Sequence, residues 1–367
     1  MILQFGAGNF LRAFVDLFAA QLNRDPSTAV GPVIVVQSTG IERAEAINKA
    51  NGRYHVAIQG FQDGEVVDQT ELVDSIERAL HAGTQWNEIL EVAADPALKL
   101  IVSNTTEAGL ALDERDTEPL DPPHSFPAKL LSALLARHKA GGSPLRIVPC
   151  ELIENNGDRL RELVLEQAQR WSVDPEIEAW LRDSCSWVNN LVDRIVPGPP
   201  KDHPLLESDP LLLSAEPFAF WAIQTEGDFE FDHPAVVKAP DITPYYLRKV
   251  RILNGLHTAL ASHAPGLGIA TVRECVEHPE VGPWLQRLLD EEIVPILEGR
   301  VDDPAGFGKV TLDRFRNPFL DHQLSSIALN HESKVRVRLL PSYEDYRSKF
   351  GRDPEILGKL MRDAGLA

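Results

Sequence analysis

The chain has 367 residues, 43% of them hydrophobic and 25% charged, which is enough for two domains and a sizeable core. A formal net charge of -19 repels phosphate backbones and excludes a non-specific nucleic-acid binder; an anionic substrate would need a locally basic pocket against that background. Three well-separated cysteines, Cys150, Cys185 and Cys275, are too few for a disulfide framework and read as core thiols of a reducing compartment. The chain opens directly into a structural motif, with no basic leader or cleavage site. No apolar run approaches the roughly 20 residues of a membrane span. A cytoplasmic protein with neither membrane nor nucleic-acid partner is expected.

Ile2–Phe5 is a short apolar run that meets a turn at Gly6. Residues 10–22 follow with helical spacing, and Val33–Val36 is a β-branched run suited to a doubly buried parallel strand. Further strands are expected at Tyr54–Phe61, Glu65–Asp68, Leu98–Val102 and Leu145–Val148, with helices over 41–50, 84–94 and 127–140. Strands alternating with helices indicate a parallel α/β sheet. Residues 196–204 make a Pro/Gly-rich break, but composition changes more clearly near 240, where Thr243-Pro244 resembles an N-cap followed by proline. Beyond it the pattern is helical over 245–263, 281–298 and 319–330. The expected domains are 1–240 and 241–367.

Gly6-Ala7-Gly8 lies between the first strand and first helix, where glycines let a backbone approach a pyrophosphate. The third glycine of the dinucleotide fingerprint is replaced by Leu11, so the loop reads equally as a packing turn. The second strand ends in Gln37, Ser38 and Thr39 rather than an acidic residue. Gln37 is placed to bond a ribose, and Arg43 to face a 2′-phosphate, so NAD(H) and NADP(H) both stay open. Asn104 and Thr105 end another strand, at the crevice edge of a parallel sheet, and either line the nicotinamide side or cap the next helix.

Lys249, Asn254 and His257 form a K-x4-N-x2-H pattern in a helical stretch. On an α-helix, Asn254 lies about 140° and His257 about 80° round from Lys249, so all three share one side. A lysine amine can remove a hydroxyl proton without a metal if burial or cations such as Arg248 and Arg251 lower its pKa. An Asn amide can donate to the developing alkoxide, and a histidine can bind a neighbouring oxygen. The same residues also fit a solvated lysine, a helix kink at Asn-Gly and a structural histidine. Metal hydrolysis is disfavoured because the eleven histidines show no H-x3-H spacing, and no G-x-S-x-G elbow is present.

Seven segments, in order along nearly the whole chain, resemble the polyol-specific long-chain (mannitol) dehydrogenase family. They are LQFGAGNFLRAFVD (3–16), IVSNTTEAG (101–109), SFPAKL (125–130), VPCELIENNGD (148–158), LVDRIVPG (191–198), KVRILNGLHTAL (249–260) and RFRNPFLDHQLSSIALN (314–330). Within the family they are most similar to the tagaturonate reductase (altronate oxidoreductase) group. The resemblance implies an α/β fold with a Rossmann-type N-terminal domain, a mainly α-helical C-terminal domain, and an active site between them that uses NAD(H) and no metal. It implies a cofactor loop of Gly6, Ala7, Gly8, Asn9 and Phe10, with Gln37, Asn104 and Thr105 nearby. Lys249 would be the general acid/base, Asn254 and Asn156 would hold the reacting oxygen, and His257 and Asp193 would sit near it. Asn156-Gly157 also reads as a turn, and Asp193-Arg194 as an ion pair.

A sugar-acid substrate carries a carboxylate, for which Arg338 is the first candidate and Lys334 the second, from a basic run whose alternating residues need not share a face. Two departures from the resemblance set expectations: many members of that group continue with a longer C-terminal helical region, whereas this chain ends soon after KVRVRLLPS (334–342), so one pocket wall is expected to be reshaped; and the chain starts almost at the first strand, so no N-terminal extension is expected over the cofactor. The alternatives are a dehydrogenase for a neutral polyol or sugar phosphate, an NAD-bound epimerase, and a non-catalytic cofactor-binding protein. Oligomeric state is not encoded in any motif.

Overall fold

Ile2–Phe5 (β1) and Val33–Gln37 (β2) pair in parallel, Ile2 beside Val33 and Phe5 beside Val36. Both are almost entirely covered, as strands with helices on each face must be. Tyr54–Gln62 (β3) and Glu65–Val73 (β4) follow, joined at Asp63-Gly64, both at positive φ as a two-residue hairpin turn requires. Then come Ile76–His81 (β5), Leu100–Ser103 (β6), Arg146–Pro149 (β7) and Ser186–Trp187 (β8). One sheet runs β5-β2-β1-β6-β7-β8 with every pair parallel. Counted along the chain within that sheet, the order is 3-2-1-4-5-6, the doubly wound Rossmann arrangement, and it reverses between β1 and β6. Asn190–Asp193 (β9), Leu213–Ala215 (β10), Phe220–Gln224 (β11) and Val236–Ala239 (β12) complete the strands; β12-β11-β9 form a small sheet.

This computed structural model describes residues 1–105 and 109–367. They form two units: Met1–Ala57, Thr70–Ala215 and Ala219–Ile242 in the first; Ile58–Gln69, Glu216–Phe218 and Thr243–Ala367 in the second. Leu3, Phe5, Ile34, Val36, Ile101 and Ile147 anchor the core of the first unit against the helices Trp86–Ala94, Phe126–Lys139 and Asn156–Arg170. The second unit has its own helical core, built on residues such as Ile252, Leu256, Leu260, Leu285, Leu288 and Leu357. Among the described residues no helix is long and apolar enough to cross a membrane.

Several elements differ from expectation. The single helix over 10–22 is two, Asn9–Arg12 and Val15–Leu22, with Phe14 at φ -130°, ψ -86° between them. Side chains enter the ladder at that break: Tyr54 Oη donates to the Arg12 carbonyl at 2.8 Å and Arg194 to the Ala13 carbonyl at 2.9 Å. Strand β5 was hidden because Glu77 and Arg78, exposed on the sheet's edge strand, interrupt its apolar run. The expected helix over 319–330 shrinks to Leu324–Ile327. Residues 322–324 are instead held by backbone bonds to 270–272, Val272 N–H to the His322 carbonyl and Leu324 N–H to that of Ala270. In each of the long helical stretches 245–263 and 281–298, one turn is π-helical, at Lys249–Asn254 and Leu288–Ile293.

Candidate active site

The loops after β1 and β6 bound a cleft of about 560 Å³ in the first unit, at the point where the strand order reverses. Gly6, Ala7, Gly8, Gln37, Asn104 and Thr105 all line it, with Ser38, Thr39, Arg43 and Lys129. Gly6 has φ +129°, and a Cβ there would stand 3.1 Å from the Asn104 carbonyl and 3.3 Å from Leu11. A Cβ on Gly8 would meet nothing within 4 Å, so that backbone faces open space. Leu11 itself is buried beneath Gly6. The third glycine of the fingerprint serves close packing of a continuous helix on the sheet; here the helix stops after Arg12 and a leucine fills the room.

Asn9 and Phe10 do not line this cleft and have partners beside it in the same unit. Asn9 Oδ1 accepts from Arg12 at 2.8 Å and Arg43 at 3.1 Å, and Phe10 stacks on Phe14. Gln37 braces its loop, donating to the Thr39 carbonyl and accepting from the Ala44 N–H. The other wall is set by a residue the sequence reading overlooked. Glu151, buried just past β7, accepts from the Thr105 N–H at 2.8 Å and Ser103 Oγ at 3.2 Å, and burial raises its pKa. Asn104 donates to the Cys150 carbonyl at 2.6 Å. Lys129 was also overlooked; burial lowers its pKa while Nζ donates to the His124 carbonyl. A carboxylate directly after a buried strand, and a lysine in the first turn of a Ser-capped helix, were the available signals.

The ENNG segment is neither a free turn nor a free donor. Asn155 takes the left-handed conformation, and the helix Asn156–Arg170 starts after it. Asn156 Nδ2 donates to the carbonyls of Glu151 at 3.1 Å and Asn190 at 3.0 Å. Its Oδ1 accepts from the N–H groups of Gly157 and Asn190, both at 3.0 Å. Both protons of the buried amide are therefore spent on backbone, which leaves no donor for a reacting oxygen. Asp193 is buried at the end of β9, opposite Phe220, and the neighbouring Arg194 gives a proton to the Ala13 carbonyl.

In the second unit, Lys249 and Asn254 are the first and last residues of the π-helical turn. A turn closed by i→i+5 bonds takes more residues than an α-turn, so the two positions lie closer in azimuth than the roughly 140° of a regular α-helix. The neighbouring arginines face other groups. Arg251 bonds Ser342 and pairs with Asp345, and Arg248 lies 4.4 Å from the centroid of the Phe307 ring. His257 is buried on the next turn, 4.2 Å from the Phe315 ring centroid. Burial drives its pKa well below the usual value, assisted by His322, Arg314 and Arg338, while the Leu253 carbonyl works the other way. Its Nε2 is buried without a partner. Burial thus keeps the ring neutral, with one nitrogen a donor and the other an acceptor.

Lys334 and Arg338 lie on the helix His331–Arg338, four residues apart and so on one face, rather than on alternating sides. Arg338 donates to Thr258 Oγ1 at 3.3 Å, one residue from His257, and burial lowers its pKa. Lys334 Nζ instead donates to the Ile327 carbonyl at 2.8 Å. Among the described residues no group of three or more His, Cys, Asp or Glu side chains is placed to hold a metal ion.

Comparison with known proteins extends this picture over the whole chain. Residues 1–235 match the model of the mannitol dehydrogenase Rossmann domain and 241–358 that of the mannitol dehydrogenase C-terminal domain. The altronate oxidoreductase of Bacillus subtilis is 39% identical over 372 residues, covering 97% of this chain and 77% of that protein. The altronate oxidoreductase of Yersinia enterocolitica is 38% identical with the same coverage. Two solved structures share the fold at 21% identity: a D-sorbitol dehydrogenase (TM-score 0.85; 98% of this chain, 80% of that one) and the mannitol 2-dehydrogenase of Pseudomonas fluorescens in a ternary complex with NAD and D-mannitol (TM-score 0.79; 100% and 78%).

Proposed function

The chain belongs to the mannitol dehydrogenase family, and we propose that within it the protein interconverts tagaturonate and altronate, using NAD(H) and Lys249 as the general acid/base. The carrying observation is identity of 36–39% over 97% of the chain to proteins named altronate oxidoreductase. The cleft in the first unit supports a dinucleotide: glycine backbone faces open space at Gly8, and a side chain at Gly6 would crowd the Asn104 carbonyl. When bound, the nicotinamide supplies a hydride acceptor or donor.

The chain's own residues do the rest. In the oxidative direction Lys249, in its neutral form, takes the proton of the substrate hydroxyl; in reduction its ammonium returns that proton to the carbonyl oxygen. Asn254, at the other end of the π-turn, donates to the same oxygen as charge develops there. Neutral His257 accepts from an adjacent substrate hydroxyl through its unpartnered Nε2. Arg338 binds the carboxylate, because its guanidinium already faces the helix that carries His257 and Thr258, whereas Lys334 is held by the Ile327 carbonyl. Asn156 acts from the first unit as buried framework rather than as a group that touches substrate. A soluble enzyme of hexuronate metabolism in the cytoplasm is the setting this reading implies.

The test follows the nicotinamide absorbance with NADH and tagaturonate, fructuronate, fructose or fructose 6-phosphate in parallel. Turnover confined to tagaturonate and abolished in Lys249→Ala, with NADH binding intact, is the expected result. Turnover of a neutral or phosphorylated sugar alone would overturn the substrate assignment, and an active Lys249→Ala would remove the lysine from the chemistry.

A further inference from the structure

Behind the glycine loop lies a polar cluster that the mechanism does not use. Asp16, Gln4, Arg12 and Tyr54 are all buried within the first unit. Gln4, on β1, donates from the same Nε2 to the Gly6 carbonyl at 3.1 Å and to Asp16 Oδ2 at 3.2 Å. Tyr54 Oη lies 3.4 Å from Asp16 Oδ2. Two further acceptors, Gln4 Oε1 and Asp16 Oδ1, are buried without any partner. A buried orphan acceptor is costly, and one added proton on Asp16 would supply this cluster with a donor.

We propose that Asp16 is a positioning residue for the cofactor loop: its carboxylate orients the Gln4 amide, which in turn holds the Gly6 carbonyl, so that the charge state of Asp16 sets cofactor affinity. The inference rests on the reading of this cleft as a dinucleotide site.

An ionised carboxylate only accepts, and therefore keeps the NH2 of Gln4 turned toward itself. The same NH2 then satisfies the Gly6 carbonyl. A protonated Asp16 can donate instead, and its natural acceptor is Gln4 Oε1. Turning the amide to receive that proton presents oxygen to the Gly6 carbonyl, and the tether is lost. The groups facing Asp16 are few: Arg12, whose charge favours the ionised form, and the Tyr54 hydroxyl; Arg43 and Asp209 act at one remove through Arg12. Burial is the largest influence and raises the Asp16 pKa to about 7, which puts the switch near neutral pH. Losing one neutral hydrogen bond to the loop corresponds to about three- to tenfold in affinity.

The experiment measures NADH dissociation constants by nicotinamide fluorescence from acid to alkaline pH for the full chain, Asp16→Asn and Gln4→Met, with melting temperatures of the unliganded proteins alongside. The wild type is expected to bind NADH more tightly as pH rises through neutrality. Asp16→Asn should bind with a constant that no longer responds to pH. Gln4→Met should bind weakly and also without pH response, although Asp16 is still present; a purely structural Asp16 would leave that pH response in place. A pH-independent wild-type constant, or a pH response surviving in both variants, overturns the proposal while the cofactor site stands. Absence of NADH binding at every pH overturns the cofactor reading and this inference together.

Discussion

Replacing Asn156 by Ala removes two donated bonds, to the carbonyls of Glu151 and Asn190, and two accepted backbone bonds, from Gly157 and Asn190. At about 1 kcal/mol of net stability per bond, with a further penalty for backbone groups left buried and unpaired, the expected loss is about 3–5 kcal/mol. Asn156→Asp tests the same account without a cavity. The shape is kept, but a carboxylate cannot donate, so two carbonyls would face a buried negative charge. It should be at least as damaging as Ala at neutral pH and recover partly in acid, where a protonated carboxyl donates again. Urea unfolding, followed by tryptophan fluorescence, reads the change. Trp221 is a suitable reporter because its Nε1 donates to Asn190 Oδ1 in the same network. A loss below about 1 kcal/mol would refute the idea that the amide locks this joint. A large fall in kcat with unchanged unfolding would return Asn156 to the reacting oxygen.

Three further outcomes follow from the geometry. Gly157→Ala should fail to fold or melt far below wild type, because its Cβ would stand 2.5 Å from the Val188 backbone; Gly255→Ala, with its nearest atom at 3.6 Å, should melt within a few degrees of wild type. Glu216→Gln should cost about 3–5 kcal/mol in chemical unfolding, since it removes a buried counter-charge from Arg314, which Glu216 meets through bonds of 2.9 and 2.7 Å deep in the second unit. For His257, the folded pKa lies below the unfolded one, so the unfolded state binds more protons in acid and stability falls as pH drops below about 6.5. His257→Gln should flatten that acid limb in a melting-temperature series. NMR should show the wild-type ring without titration between neutrality and the acid transition.

Much of the frame was legible along the chain because it depends on local composition. The apolar run before Gly6, the β-branched stretch at 33–36 and the alternation with helices require only that strands be covered on both faces, and the Rossmann sheet follows from them. The placement of Gly6, Gly8, Asn104 and Thr105 around one cleft was legible for the same reason: strand ends in a parallel sheet point to a common edge. Strand β5 was not, since its exposed Glu77 and Arg78 carry no hydrophobic period.

The partners of polar side chains were decided by tertiary structure alone. Asn156, attractive in sequence as a donor to substrate, gives both its amide protons to carbonyls, one of them 34 residues away. Arg251, within the lysine motif, pairs with Asp345 from another helix, which Arg300 also meets. Neither pairing leaves a trace in local pattern, because a hydrogen bond depends on separation in space, and that is fixed only when the core has packed. The lysine motif shows both levels. Its residue types and order were fixed by the chain itself, whereas the π-turn that draws Lys249 toward Asn254 and the burial that leaves His257 neutral arise from how the surrounding helices pack.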